Sequence, residues 1–206
     1  RIGDWSSDVC SSDLVFSEVG GITRKPMDAS GKAMLIHSIL QKKKDELKVF
    51  KGAARQKGFV DNVAGAITEF KKYNVSVEDL NKTLGNLGEN PLLIDKITDL
   101  SLIYGEFDNI LNKNYVDPDD DLTRLNSALD ECNIFDGSEF WIDEFTGFTP
   151  QQYGILEKLY KKAKRINITL PLKSSEHSKC MEESDAFYSI KFTENKLLSL
   201  DRKSVV

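Results

Sequence analysis

The stretch Ser138–Ala163, SEFWIDEFTGFTPQQYGILEKLYKKA, constrains this chain most. Phe140, Trp141 and Ile142 form a short apolar run of strong β-formers, which predicts a buried strand. Asp143 and Glu144 stand at its C-terminal end, and Gly147 breaks the chain. Thr149-Pro150-Gln151-Gln152 is a helix start, with a capping hydroxyl, Pro at the first helical position and a Gln able to bond back to the cap. Tyr153, Leu156, Leu159, Tyr160 and Ala163 then share one helical face, and Ile166–Leu170 supplies a second strand. Strand, helix and strand within about 30 residues predict a βαβ unit of a parallel sheet, in which ligands gather at C-terminal strand ends. Asp143 and Glu144 occupy such an end.

Upstream of this unit the pattern is helical. Asp28 or Ser30 caps a helix expected to reach Phe50 through Leu35, Ile39 and Leu47, with Lys42–Lys44 exposed. Phe59, Val63, Ala66, Phe70 and Tyr73 form the seam of a helix over 58–73. Ser76-Val77-Glu78-Asp79 opens a short helix to Leu84. Asn90-Pro91 opens the longest, to Tyr115, along Leu93, Ile97, Leu100, Tyr104, Phe107 and Leu111. Asp117–Asp121 reads as an acidic helix start favoured by the helix dipole, with a helix to Cys132. It lacks the Gly and Glu that a calcium loop needs at its sixth and twelfth positions. Residues 173–185 read as a polar loop, and the second half of 187–200 as a helix. The expected fold class is therefore α/β: a mainly helical subdomain (about 28–135, within 15–135) followed by a βαβ unit of a parallel sheet within 136–200.

The two ends read differently. DWSSDVCSSDL is what a common sequencing adaptor encodes when read in frame, and DRKSVV matches the other adaptor. Residues 1–14 and 201–206 are expected to be adaptor-derived, which makes 15–200 an internal slice of a longer protein.

Composition narrows the function classes. The net charge of −5 over 206 residues argues against a generally basic nucleic-acid surface. No apolar run approaches the ~20 residues of a membrane span. Cys10, Cys132 and Cys180 show no zinc or disulfide spacing, which suits a reduced, cytoplasmic chain. His37 and His177 receive no role. The DASGK stretch at 28–32 fails as a phosphate loop, because Pro26 and Ala33 stand where Gly and Ser or Thr are required. Asp143 and Glu144 are Walker B-like candidates, an Asp for the Mg²⁺ shell and a Glu to polarise water. Acidic strand ends are also common for purely structural reasons. The basic clusters to consider for DNA are Lys42–Lys44 and Lys161, Lys162, Lys164, Arg165, against the plain alternative of solvated helix faces.

GGIT…SGKAMLIHSIL, GFVDNVAGAITEFKKYNVSVEDL, ITDLSLIYGEFDNIL and FWIDEFTGFTPQQYGILEKL occur in this order and together resemble the N-terminal region of the AddB (RexB-like) family. These are B subunits of bacterial AddAB helicase–nucleases. The resemblance covers 15–200, and Phe148-Thr149-Pro150-Gln151 is its most specific part. It implies a P-loop, superfamily 1 helicase-like fold that has lost motor function, an AddA-like partner, DNA ends as substrate and response to a recombination hotspot. It also implies ATP and Mg²⁺ in the parent subunit, and an iron–sulfur cluster in a C-terminal nuclease domain beyond this chain. Active motors of the superfamily carry a motif resembling Asp-Glu-x-Gln-Asp, whereas Thr146 and Gly147 stand here for Gln-Asp. Their next strand leads into Gly-Asp and a phosphate-sensing Gln, whereas this one ends in Leu170-Pro171-Leu172. Both departures favour a degenerate, DNA-engaging scaffold over two alternatives, a fragment of an active helicase and a helical adaptor.

Overall fold

The computed structural model describes residues 11–19, 25–56, 58–85, 87–88, 90–143, 145–172 and 184–203. The chain forms two compact units, one of Ile22–Asp121 and one of Arg1–Gly21 with Leu122–Val206. Eight helices are described: α1 (Ser11–Val19), α2 (Ala29–Lys42), α3 (Phe59–Lys72), α4 (Val77–Leu84), α5 (Pro91–Asn114), α6 (Asp121–Ala128), α7 (Pro150–Lys162) and α8 (Tyr188–Lys203). Four strands pair in two parallel couples, β1 (Lys25–Pro26) with β2 (Tyr115–Val116), and β3 (Glu139–Ile142) with β4 (Arg165–Ile168). Helices with small parallel sheets agree with an α/β class.

The unit Ile22–Asp121 is helical, and local capping accounts for its helix starts. Asp28 accepts from the Gly31 N–H at 2.7 Å. Ser76 and Asp79 form a reciprocal capping box, and Asn90 accepts from the Leu93 N–H ahead of Pro91 at the first helical position. The core gathers Ile36, Ile39 and Leu40 of α2, Val63 and Ile67 of α3, and Ile103 and Phe107 of α5.

Several expectations shift here. The α2 helix ends at Lys42, not Phe50, because the chain turns at Lys43 and its next segment finds a different partner. The buried carboxylate of Asp99 on α5 accepts from the backbone N–H groups of Lys48, Val49 and Phe50 at 2.8–3.1 Å. Leu47 is still buried, but from a turn. The buried seam of α3 runs through Val63, Ile67 and Lys71, leaving Tyr73 exposed, and Leu93 of the α5 seam is exposed as well. His37 is exposed.

The acidic run 117–121 does more than start a helix. Asp117 caps a 3₁₀ turn (Pro118–Asp120), and α6 stops at Ala128, short of Cys132. Lys32 reaches Asp119 (2.5 Å) and Asp117 (3.4 Å), and Lys71 reaches Asp120 (2.7 Å), Asp117 (2.9 Å) and Asp108 (3.5 Å). The cations that answer these carboxylates are therefore lysine ammoniums, which lie over the Phe107 ring at 5.6 and 5.5 Å.

The second unit holds the strand–helix–strand. Parallel pairing of Phe140 with Ile166 and Ile142 with Ile168 puts both pairs on one sheet face, and Ile142 packs with Tyr153, Leu156 and Leu197. The opposite face carries Trp141, which is 66 % exposed. The expected buried strand is thus buried on one side only. The second strand starts at Arg165 and ends at Ile168, with Thr169 extending the ladder through its N–H to the Ile142 carbonyl (2.9 Å). Gly137, at φ 72°, makes the turn into β3. Val15 of α1 is fully buried with Leu125 and Leu129, and Leu14 is exposed. The α8 helix begins at Tyr188, earlier than the apolar pattern of 187–200 placed it.

Candidate strand-end site

Asp143 follows the last residue of β3, where the sheet opens to solvent. The hydroxyl of Thr169, at the matching end of β4, donates to its carboxylate. Glu144, the second candidate, lies outside the described residues, as do Cys10, His177 and Cys180.

The loop that follows is fastened from three directions. Phe145 and Phe148 stack with ring centroids 5.1 Å apart, and Phe148 meets Tyr153 of α7 edge-on at 5.6 Å. Thr149 closes a capping box with Gln152, which explains the sharp helix start read from the sequence. From α8, the Thr193 hydroxyl lies 3.2 Å from the Thr146 carbonyl. A Cβ at Gly147 would stand 3.4 Å from that hydroxyl, an ordinary van der Waals contact. The Lys196 ammonium sits 3.8 Å from the centre of the Tyr153 ring. Burial pushes the Tyr153 phenol up, against a hydrogen bond with Thr193. The contacts of Thr193 and of the buried Gln151, whose amide donates to Thr123 Oγ1 at 2.9 Å, gave no sequence signal, since the partners lie far along the chain.

Asp143 supplies one carboxylate, already bonded to Thr169, and among the described residues no group of three His, Cys, Asp or Glu side chains is placed to hold a metal ion. Lys32, in the stretch nearest to a phosphate loop, is committed to Asp117, Asp119 and Thr68. Cys132 is buried, its thiol pushed up by burial and bonded to Glu18 at 3.5 Å, so it behaves as a packing residue.

Two cations of the basic cluster that spans the end of α7, Lys162 and Lys164, bond within their own unit. Lys162 donates to the Cys132 carbonyl at 2.8 Å, and Lys164 pairs with Glu139 at 3.0 Å. Lys43 likewise pairs with Glu46 at 2.9 Å.

The family model described as ADDB, N-terminal, matches residues 12–206. The chain belongs to the AddB N-terminal family. It is similar to the B subunit of the ATP-dependent helicase/deoxyribonuclease of Clostridium novyi (strain NT), with 51% identity over 183 residues, 89% of this chain and 16% of that protein. The corresponding B subunit of Clostridium acetobutylicum (strain ATCC 824) is 47% identical over 186 residues, 90% of this chain and 16% of that protein. That of Thermoanaerobacter sp. (strain X514) is 45% identical over 189 residues, 92% of this chain and 16% of that protein. The chain thus spans 16% of the length of these AddB relatives. Among the described residues, no helix is long and apolar enough to cross a membrane.

Proposed function

We propose that this chain is the helicase-like N-terminal part of the B subunit of a bacterial helicase–nuclease that processes DNA double-strand ends. In this reading it is a noncatalytic scaffold that engages DNA beside an AddA-like subunit in the cytoplasm. The fold is P-loop, superfamily 1 helicase-like, and the parallel β3–α7–β4 unit with an acid at its C-terminal end supports that. ATP and Mg²⁺ of the parent subunit, and the iron–sulfur cluster of its nuclease domain, would be held by segments beyond this chain.

One observation carries the noncatalytic reading. In a motor, the residues after the acidic pair tie nucleotide state to movement. Here Thr146 and Gly147 are packed against Thr193, and Asp143 holds the end of β4 through Thr169. The loop is committed to α7 and α8.

The test is DNA-stimulated ATP turnover by the full-length subunit, assembled with a partner whose own ATP site has been disabled. No turnover above the disabled background is expected, with or without Glu144→Gln. Turnover in the usual enzymic range of roughly 1–10³ s⁻¹, abolished by Glu144→Gln, would replace this reading with an active helicase. DNA engagement is read in the same assembly by photocrosslinking from a duplex end. Absence of crosslinks to this region would remove the scaffold role.

A further inference from the structure

The chain enters the unit Ile22–Asp121 just before β1 and leaves it just after β2, and these two strands pair with each other. The pairing is intrinsically weak. Each strand has two residues, Pro26 has no N–H to give, and closing a long loop costs entropy that grows with its length. The Met27 N–H to the Val116 carbonyl, at 2.9 Å, is one of its few bonds.

Directly beside this pair lies a cluster of buried and half-buried charges. Lys32 stands one turn past the Asp28 cap that follows β1, and Asp117 directly follows β2. Asp117 is shared between Lys32 (3.4 Å) and Lys71 (2.9 Å). Thr68 of α3 bridges Lys32 (3.0 Å) and Asp119 (2.6 Å), and Asp120 is held by Lys71 at 2.7 Å. The incoming segment, the outgoing segment and α3 are therefore joined through one network, both of whose ammoniums rest over Phe107.

We propose that this network is a clasp: it holds the incoming and outgoing segments of the unit together, so the unit stays closed at its root while its helical core is a separate source of stability. The ladder alone is too short to do this. The clasp acts through Lys32 beside the incoming segment and Lys71 of α3, whose partners lie on the outgoing segment, and it makes the root the place where the unit opens first when the charges are unbalanced.

Native-state hydrogen exchange on the whole chain tests this, using Lys71→Met, the milder Lys32→Gln, and the exposed neighbour Lys72→Met as control. The reporters are the Met27 amide at the root, the Phe107 amide in the α5 core and the Ala163 amide in the other unit. Lys71→Met should speed exchange at Met27 by roughly tenfold or more, with a much smaller change at Phe107 and none at Ala163. Lys32→Gln should act in the same order at smaller size, and Lys72→Met should do nothing. An unchanged Met27 amide in both Lys71→Met and Lys32→Gln overturns the clasp. So does equal acceleration at Met27 and Phe107 in Lys32→Gln, which would make the network a contributor to global stability only. If Lys71→Met does not fold, Lys32→Gln decides between these outcomes.

Discussion

Lys71 and Asp117 face each other at 2.9 Å with both side chains only 4 % exposed. Neither charge can be rehydrated in place, so each depends on the other and on the surrounding carboxylates. The Lys71 ammonium is correspondingly raised: burial works to lower it, and Asp120 and Asp117 outweigh burial.

Removing that cation alone should be severe. Lys71→Met leaves the buried Asp117 and the half-buried Asp120 without their main counter-charge, and a loss of about 3–5 kcal/mol is expected in urea unfolding. Adding Asp117→Asn and Asp120→Asn to the same chain should restore part of the loss, because the stranded charges go with it. A triple variant less stable than Lys71→Met would contradict this account.

Asp99 should matter for a different reason. It sits inside α5, yet accepts three backbone N–H groups of the 48–50 turn. Asp99→Ala strands those donors and should cost about 2–4 kcal/mol. Limited proteolysis should then cut first between residues 43 and 52. Unchanged cleavage there would show that the turn is held by Leu47 packing instead.

The acid response of this unit should split by residue. Burial raises the Asp119 carboxyl, but Lys32 and Thr68 outweigh it and leave it below its ordinary range. Its contribution is present above the unfolded value of about 3.9 and is lost as pH falls through the folded value. Asp120 has the opposite sign: burial raises it, with Asp117 and Asp119 adding, against Lys71. Asp108 is also raised, first by burial. Contributions of this second kind are complete below about 3.9 and disappear as pH rises through the folded value. Between roughly pH 6 and pH 3, Asp119→Asn should therefore flatten the loss of stability on acidification, and Asp120→Asn should steepen it. Lys32, Lys71, Asp117, Thr68 and Tyr104 face the same cluster and stay unchanged in both variants. Urea midpoints that move in the same direction for both would refute the assignment.

One-sided burial of β3 gives a sharp contrast between neighbours. Ile142→Ala should cost about 2–5 kcal/mol, because Ile142 is buried against α7 and α8. Trp141→Thr keeps a good β-former on the open face and should stay within about 0.5 kcal/mol. Comparable losses at both positions would mean that the Trp141 face is covered.

Local chemistry determined much of this protein from sequence alone. The helix starts at Asp28, Ser76, Asn90-Pro91 and Thr149-Pro150 were legible, because a cap and its N–H partner lie within four residues. So was the strand–helix–strand around Asp143, because alternation, turn and helical period occupy one continuous stretch. Only the tertiary structure decided what answered the charges. Lys32 and Lys71 are of a residue type expected in solvent, yet they stand on the buried faces of α2 and α3, because Asp117, Asp119 and Asp120 meet them from 46 to 87 residues away. Asp99 likewise turned inward to a backbone segment about 50 residues earlier, which ended α2 at Lys42 instead of Phe50. Nearest-neighbour rules cannot see such partners. A buried charge is tolerable only where the fold brings its counter-charge or hydrogen-bond donors to it, and that meeting is a property of the packed chain.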